Sequence, residues 1–164
     1  MGGAALPLAQ RFLSNLPDRG YTLTKPLGLL LWGFIFWLLT SLGLLQNNLG
    51  GVLFALLLVA GLGFWSAGGW KGYKQSFKFI KEHSRLVLIS EALFLLAFIL
   101  WAVMRAANPQ VSGTEKPMEM AFINAILRSP SFPPQDPWLS GYAISYYYFG
   151  YVMAAMLIRL TGVI

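Results

Sequence analysis

The chain has 164 residues, of which 57% are hydrophobic, 15% aromatic and only 11% charged. Because soluble globular domains carry about 25% charged residues, this composition excludes an ordinary water-soluble monomer and indicates an integral membrane protein. The chain has no cysteine, which excludes disulfides, thiolate metal sites and cysteine nucleophiles. Its single histidine, His83, disfavours histidine metal sites and Ser/His triads.

The N-terminal residues 1–16 are mildly apolar but too short to span a membrane, and they lack the cleavage pattern of a signal peptide. They are typical of the last turns of a helix. The chain also stops at Ile164, at the end of an apolar run. We therefore expect the sequence to be a fragment of a longer chain.

Four apolar stretches, residues 26–46, 49–67, 86–107 and 144–164, have the length of membrane spans. About 20 helical residues cross the roughly 30 Å of hydrocarbon. None of the stretches alternates as a β-barrel strand does, and only helices otherwise satisfy their own backbone in lipid. The sequence predicts an all-α, polytopic membrane helix bundle, with residues 1–164 as a single membrane domain.

The connection between the second and third spans predicts an interfacial helix. In residues 70–81 the side chains of Tyr73, Phe77 and Ile80 recur at helical spacing opposite lysines. Such a helix is typical of a segment lying on anionic lipid headgroups. A specific lipid or a partner protein is the alternative contact.

The distribution of basic residues predicts the orientation. Nine of the twelve lysines and arginines fall on one side of the predicted spans: Arg11, Arg19, Lys25, Lys71, Lys74, Lys78, Lys81, Arg85 and Arg159. The positive-inside rule then places the N-terminus and the loop 68–85 in the cytoplasm, and the loop 108–141 outside a cell membrane. The net charge of +6 is thus a topology signal, and no nucleic-acid partner is expected.

Glu91 lies inside the third span, where a carboxylate is costly unless it is paired or faces a cavity. We expect it to snorkel, or to pair with a basic residue of the loop 71–85. A proton relay or ion site, as in a transporter, is the alternative.

The outer loop predicts a helix of its own. Thr114 can cap a helix over residues 116–128, which Ser129 and Pro130 end. Its apolar residues repeat every three to four positions: Met118, Phe122, Ala125 and Ile126. This pattern predicts an amphipathic helix lying flat on the outer membrane surface.

Three acids lie in this outer segment. Glu115 and Glu119 are four residues apart, so they share a helix face with Cβ atoms about 6 Å apart. They could hold a divalent cation with help from a substrate phosphate, or one could act as a general base. Acids in a first turn also complement the helix dipole without any catalytic role. Asp136, before Pro137, is either a turn residue or a third carboxylate at the same surface.

Five of the seven tyrosines fall within residues 142–151. An outer aromatic belt accounts for their position but not for their density. Because Tyr147 and Tyr151 share one helical face and Tyr148 lies on another, at least one hydroxyl points into the bundle and needs a partner. Sugar-binding and phosphate-binding sites use tyrosine in this way.

The segments 113–119, 124–129 and 132–138, followed by Gly141-Tyr142 and residues 146–151, resemble the YYY-domain (DUF2298) family of polytopic membrane proteins. Residues 16–21 and 25–28 also resemble the N-terminal part of that family, which implies that this chain is an N-terminal part of a longer protein. The family is in turn similar to the GT-C membrane glycosyltransferases. This resemblance implies transfer of a sugar from a polyprenyl-phosphate donor on the extracytoplasmic face.

The resemblance also implies roles for single residues. Glu115 takes the position of the catalytic acid, although the second acid of a tandem pair is displaced to Glu119, so which acid is catalytic stays open. Asp136 is a third candidate. Lys116 or Arg128 would hold the phosphate of the lipid-linked donor. The other expected substrate contacts are Trp138, Tyr146, Tyr147 and Tyr148.

Two further functions stay open. One is a non-catalytic subunit whose glycine-rich spans pack against other membrane subunits. The other is a transporter that uses Glu91. The glycines concerned are Gly28, Gly33, Gly43, Gly50, Gly51, Gly61 and Gly63.

Overall fold

The computed structural model describes residues 1–113 and 115–162, and no strand occurs among them. The predicted all-α fold is confirmed. The helices in chain order are α1 (Gly2–Phe12), α2 (Thr24–Ser41), α3 (Leu49–Ser66), α4 (Trp70–Glu82), α5 (Ser84–Ala107), α6 (Lys116–Arg128) and α7 (Phe149–Thr161), and a 3-10 turn (Tyr21–Leu23) leads into α2.

Three segments are long and apolar enough to cross a membrane: Tyr21–Ser41, Leu49–Ser66 and Ser84–Ala107. The first of these segments begins at Tyr21, earlier than residue 26, where the first span was predicted to start. Pro26 lies in the first turn of α2, where backbone N–H groups have no intrahelical partner. Gly43, with a φ of 73°, follows the end of this helix in the left-handed conformation that glycine adopts readily.

The fourth predicted span, residues 144–164, is wrong at its start. The helix α7 begins only at Phe149 and has 13 residues, about 20 Å of length against the roughly 30 Å of a hydrocarbon core. Before it, the backbone N–H of Ile144 donates to Pro134 O over 2.9 Å, beside an isolated antiparallel bridge between Gln135 and Ala143. These bonds to the preceding proline-rich segment replace helical ones. Residues 163 and 164 lie outside the described part.

The N-terminal segment forms a buried helix. Ala5, Leu6 and Ala9 of α1 are almost inaccessible, and α1 packs against both α2 and α3. Its approach to α3 depends on Gly63, because a Cβ atom there would overlap the carbonyl oxygen of Ala4. The helix is therefore part of the core of this bundle.

The core between α2, α3 and α7 also uses glycine. A Cβ atom on Gly33 would lie 2.7 Å from Cγ of Met153, and one on Gly51 would overlap the carbonyl oxygen of Gln46. These glycines therefore serve contacts within the chain, whereas Gly43 and Gly61 face open space. The largest buried side chains around them are Trp32, Phe36, Ile126, Met156, Val52, Val59 and Val152.

The predicted interfacial helix matches α4, and a second face of it packs inside the protein. Ser76 and Phe79 are buried, whereas Phe77 is 53% exposed. The hydroxyl of Tyr73 donates to Gly3 O over 2.8 Å. The helix thus packs on α1 through one face, and its contact with lipid headgroups stays a prediction.

The long helix α5 has no buried residue. Its Glu91 pairs with Lys25 of α2 and accepts a hydrogen bond from the Tyr21 hydroxyl over 2.9 Å. The prediction of a partner in the loop 71–85 is therefore wrong. The cause is tertiary, because Lys25 is distant in sequence and the packing of α2 brings it beside α5.

Candidate functional site at helix α6

The helix α6 has the predicted bounds, Lys116–Arg128, with Phe122 and Ile126 buried. Both candidate acids lie at its start, Glu115 as the N-cap residue and Glu119 in the first turn. The backbone N–H of Glu119 donates to Glu115 O over 2.9 Å, so the two residues are one helical turn apart. The predicted cap Thr114 lies outside the described residues. Glu115 is exposed and Glu119 is half-buried.

The far end of α6 is fixed by Asn47 in the turn between α2 and α3. The buried side-chain amide of Asn47 donates to Ile126 O over 2.5 Å and to Ser129 O over 2.7 Å. Its backbone N–H donates to Pro130 O over 2.9 Å. These bonds satisfy carbonyl groups that the end of a helix leaves unpaired. No local sequence pattern distinguishes Asn47 from the neighbouring Asn48.

The helix α6 runs beside α7. The ring of Phe122 lies 5.7 Å from that of Tyr151, near the start of α7. Near the end of α7, the guanidinium of Arg159 donates to Leu127 O over 2.7 Å. The predicted orientation places Arg159 among the cytoplasmic basic residues. Its side chain instead contacts α6, the helix of the predicted outer segment. Eight basic residues then remain on the predicted cytoplasmic side, and the orientation of α6 to the membrane stays a prediction.

An aromatic cluster surrounds Phe122. Ring centroids of Trp138 and Tyr146 each lie 5.6 Å from that of Phe122, and the rings of Tyr146 and Tyr147 are 4.3 Å apart. Trp138 and Tyr146, both predicted to contact substrate, are thus gathered on the side of α6 that faces α7. Trp138 and Tyr147 remain largely exposed.

Glu115 acts electrostatically on this cluster. The pKa of Tyr146 is raised above its usual 10, first by its hydrogen bond with Tyr147 and the charge of that residue, then by slight desolvation and the negative charge of Glu115. Glu115, Glu119 and Phe122 follow one another at spacings of four and three residues, so they share one face of α6. The candidate acids therefore lie on the face of α6 that carries the aromatic cluster.

The third predicted tyrosine lines a small cavity next to this cluster. Trp37 Nε1 of α2 donates to the hydroxyl of Tyr148 over 3.1 Å. This bond gives the inward-pointing hydroxyl the partner that it was expected to need. The cavity has a volume of about 290 Å³ and a wholly aromatic lining: Phe34, Trp37, Tyr146, Tyr147, Tyr148 and Phe149.

The side chain of Asp136 stabilises the turn that follows it. Its Oδ1 accepts hydrogen bonds from the backbone N–H groups of Trp138 over 2.8 Å and Leu139 over 3.0 Å. This is the arrangement by which an aspartate stabilises a turn, and it agrees with the turn interpretation. A catalytic role for Asp136 stays a prediction.

The two candidate phosphate ligands lie at opposite ends of α6. Lys116 is adjacent to Glu115 and donates to Gln110 O over 3.2 Å, whereas Arg128 is in the last turn. At 1.5 Å per residue they are about 18 Å apart along the axis. Only Lys116 therefore lies at the end that carries the acids.

A divalent cation would find few ligands here. Among residues 1–113 and 115–162, no group of three or more acidic or histidine side chains could hold a metal ion. Glu115 and Glu119 alone fit a cation such as Mg²⁺ that keeps several waters and takes further oxygens from a substrate phosphate.

Three candidate spans and a buried N-terminal helix define a polytopic, all-α membrane protein. The chain belongs to the family described as "Uncharacterized membrane protein (DUF2298)", whose model matches residues 31–164. The match includes every candidate acid and tyrosine, and it confirms the family resemblance of the segments between residues 113 and 151. The resemblance of residues 16–21 and 25–28 lies outside the matched range and stays a prediction. Neither a curated protein nor a solved structure matches the chain.

Proposed function

We propose that the protein is a membrane glycosyltransferase of GT-C type, or part of one, which transfers a sugar from a polyprenyl-phosphate donor to an acceptor hydroxyl. One observation carries the proposal. Glu115 and Glu119 stand one helical turn apart at the start of α6, on the helix whose Phe122 packs against the rings of Trp138 and Tyr146. Carboxylates beside aromatic rings and exposed hydroxyls suit a sugar substrate.

The reaction needs one base and one stabilised leaving group. The carboxylate of Glu115 or Glu119 accepts the proton of the acceptor hydroxyl as its oxygen attacks the anomeric carbon of the sugar. The bond from that carbon to the phosphate oxygen breaks, and the polyprenyl phosphate leaves with the electron pair. Lys116, next to the acids, neutralises this phosphate. A divalent cation held by the two glutamates would supply the same stabilisation.

The aromatic residues provide the remaining contacts. The rings of Trp138 and Tyr146 beside Phe122 can stack on the apolar face of a sugar. The adjacent cavity of about 290 Å³ has an aromatic lining suited to an apolar part of the donor lipid. We assign Arg128 no direct contact with the donor phosphate, because it lies about 18 Å from Lys116.

The test is sugar transfer in vesicles that contain polyprenyl-phosphate sugars, with the chain expressed in its full reading frame. The double variant Glu115→Gln, Glu119→Gln should lose at least about 100-fold in rate, the usual contribution of general acid–base catalysis. Glu82→Gln, in the exposed pair with Lys78, is the matched control and should keep full activity. Circular dichroism verifies helical content. Wild-type activity in the double variant would refute the proposal.

A non-catalytic membrane subunit is the second candidate, and α5 favours it. None of the 24 residues of α5 is buried, and partner helices could cover this apolar surface. This function predicts that the chain purifies only within a larger complex and transfers no sugar. Transport through Glu91 has less support, because Glu91 is paired with Lys25.

A further inference from the structure

A large cleft opens beside the ion pair of Lys25 and Glu91. Its volume is about 970 Å³, near the upper end of the roughly 300–1,000 Å³ found for ligand sites. We call it the Lys25 cleft. Its walls come from α1, α2, α4, α5 and α7, and the lining residues used in the argument are Tyr21, Lys25, Leu29, Glu91, Phe94 and Leu157.

The chemistry of the Lys25 cleft changes along its length. Polar groups stand where α2 begins, at Tyr21 and Lys25, whereas Leu29 follows one turn further along the helix. On the other walls, Phe94 comes one turn after Glu91, and Leu157 faces the cleft from α7. An occupant must therefore be amphipathic, with a polar group at one end and an apolar chain beyond it.

At the polar end of the Lys25 cleft, the ammonium group of Lys25 has donors that Glu91 does not use. The ammonium group of Lys25 has three donors; one is engaged by Glu91, and its nitrogen lies 4.0 Å from the ring centroid of Phe94. The side chain of Lys25 is 35% exposed. A phosphate oxygen can therefore accept a hydrogen bond from Lys25 without displacing Glu91.

The surrounding charge favours an anionic occupant. The pair of Lys25 and Glu91 is neutral in sum, but α4, whose Ile80 reaches the cleft, carries four lysines and a single glutamate: Lys71, Lys74, Lys78, Lys81 and Glu82. Basic residues grouped beside spanning helices attract anionic lipid headgroups. A zwitterionic headgroup would gain much less from this surface.

We propose that the Lys25 cleft is a binding site for one anionic phospholipid. Its phosphate accepts a hydrogen bond from Lys25, and an acyl chain lies along Leu29, Phe94 and Leu157. The lipid fills the space between α5 and the rest of the bundle, and α5 packs against it. The site is separate from the acids of α6 and does not depend on the proposed transferase activity.

The experiment measures which lipids stay with the protein. The full chain is reconstituted in vesicles of equal amounts of phosphatidylglycerol and phosphatidylcholine with identical acyl chains. It is then extracted in mild detergent and washed, and bound lipid is quantified by native mass spectrometry. Phosphatidylglycerol should be retained in preference to phosphatidylcholine. No retained lipid, equal retention of both, or a co-purified protein in place of lipid would overturn the proposal.

A matched pair of variants locates the lipid. Leu157→Trp fills the apolar part of the Lys25 cleft, and displacing two or more buried CH₂ groups should reduce retention roughly tenfold. Leu160→Trp is the control, because Leu160 lies on the same helix with 39% exposure and does not line the cleft. Equal retention by the two variants contradicts the assignment. Circular dichroism verifies folding, and Leu157→Phe replaces the tryptophan variant if that variant does not fold.

Discussion

The carboxylate of Glu91 in α5 is paired with the ammonium group of Lys25 in α2, and the Tyr21 hydroxyl donates to the same carboxylate over 2.9 Å. This cluster joins α5 to the bundle at a point where α5 buries no side chain of its own. A charged pair in an apolar span is tolerated because each charge compensates the other. The position of α5 therefore depends on one polar contact more than on packing.

Removing that contact should destabilise the protein. Glu91→Gln leaves Lys25 without its counterion, and we expect the free energy of unfolding to fall by about 1–2 kcal/mol, between the values for exposed and buried pairs. Thermal unfolding in detergent measures it. Glu82→Gln, in the exposed pair with Lys78 at 3.5 Å, is the control and should change stability by less than about 0.5 kcal/mol. Equal effects of the two variants would contradict the structural role of Glu91.

The glycines of α3 offer a second matched pair. Gly63→Ala should destabilise by about 1–3 kcal/mol, because its Cβ would overlap the carbonyl oxygen of Ala4 and push α1 away from α3. Gly61→Ala, where a Cβ meets open space, should instead stabilise the helix by about 0.5–1 kcal/mol. Thermal unfolding distinguishes opposite signs. A stabilising Gly63→Ala would show that α1 does not pack closely on α3.

Asn47 should determine how firmly α6 is held. Asn47→Ala leaves the carbonyl groups of Ile126 and Ser129 without their side-chain donor, a loss of about 1–3 kcal/mol for buried groups. Amide hydrogen exchange should become faster in the last turn of α6. Asn124→Ala removes only an exposed bond to Met120 O within α6 and serves as the control. Unchanged exchange in Asn47→Ala would mean that other contacts hold the helix end.

The titration of Tyr146 tests whether Glu115 faces the tyrosine cluster. Its raised pKa means that the neutral phenol is favoured in the folded state, so the associated stability is complete below pH 10 and is lost as the pH rises through the raised pKa. Glu115→Gln should lower this pKa, as measured by ¹³C NMR of labelled tyrosine. Glu119→Gln, which removes a carboxylate not among the causes of the shift, should change it less. The reverse order would place Glu119 nearer to the cluster.

Asp136 should behave as a turn residue. Asp136→Asn keeps an oxygen that accepts from the N–H groups of Trp138 and Leu139, and sugar transfer should persist. Asp136→Ala removes that acceptor and should cost about 0.5–1.5 kcal/mol of stability. Unfolding and transfer assays on both variants separate the two roles. A transfer rate that falls in Asp136→Asn as far as in the glutamate double variant would make Asp136 catalytic.

The sequence predicted well what depends on short stretches of chain. The bounds of α6 followed from the spacing of Phe122 and Ile126 and from the stop at Ser129-Pro130, and α3 followed from an apolar run. The prediction of a helix was wrong at residues 144–148, where the apolar and aromatic composition had suggested one. There the backbone bonds to Pro134 instead, and hydropathy carries no information on such a pairing.

By itself, the sequence determined that this is an all-α membrane protein, because hydropathy and helical periodicity are properties of each segment alone. It also identified Glu115, Glu119 and the tyrosines as candidates, because residue type and spacing suggest chemistry. Only the tertiary structure decided that Glu91 pairs with Lys25 and that Arg159 contacts Leu127. Those pairs join residues far apart in the chain, and the packing of the helices alone determines which of them meet.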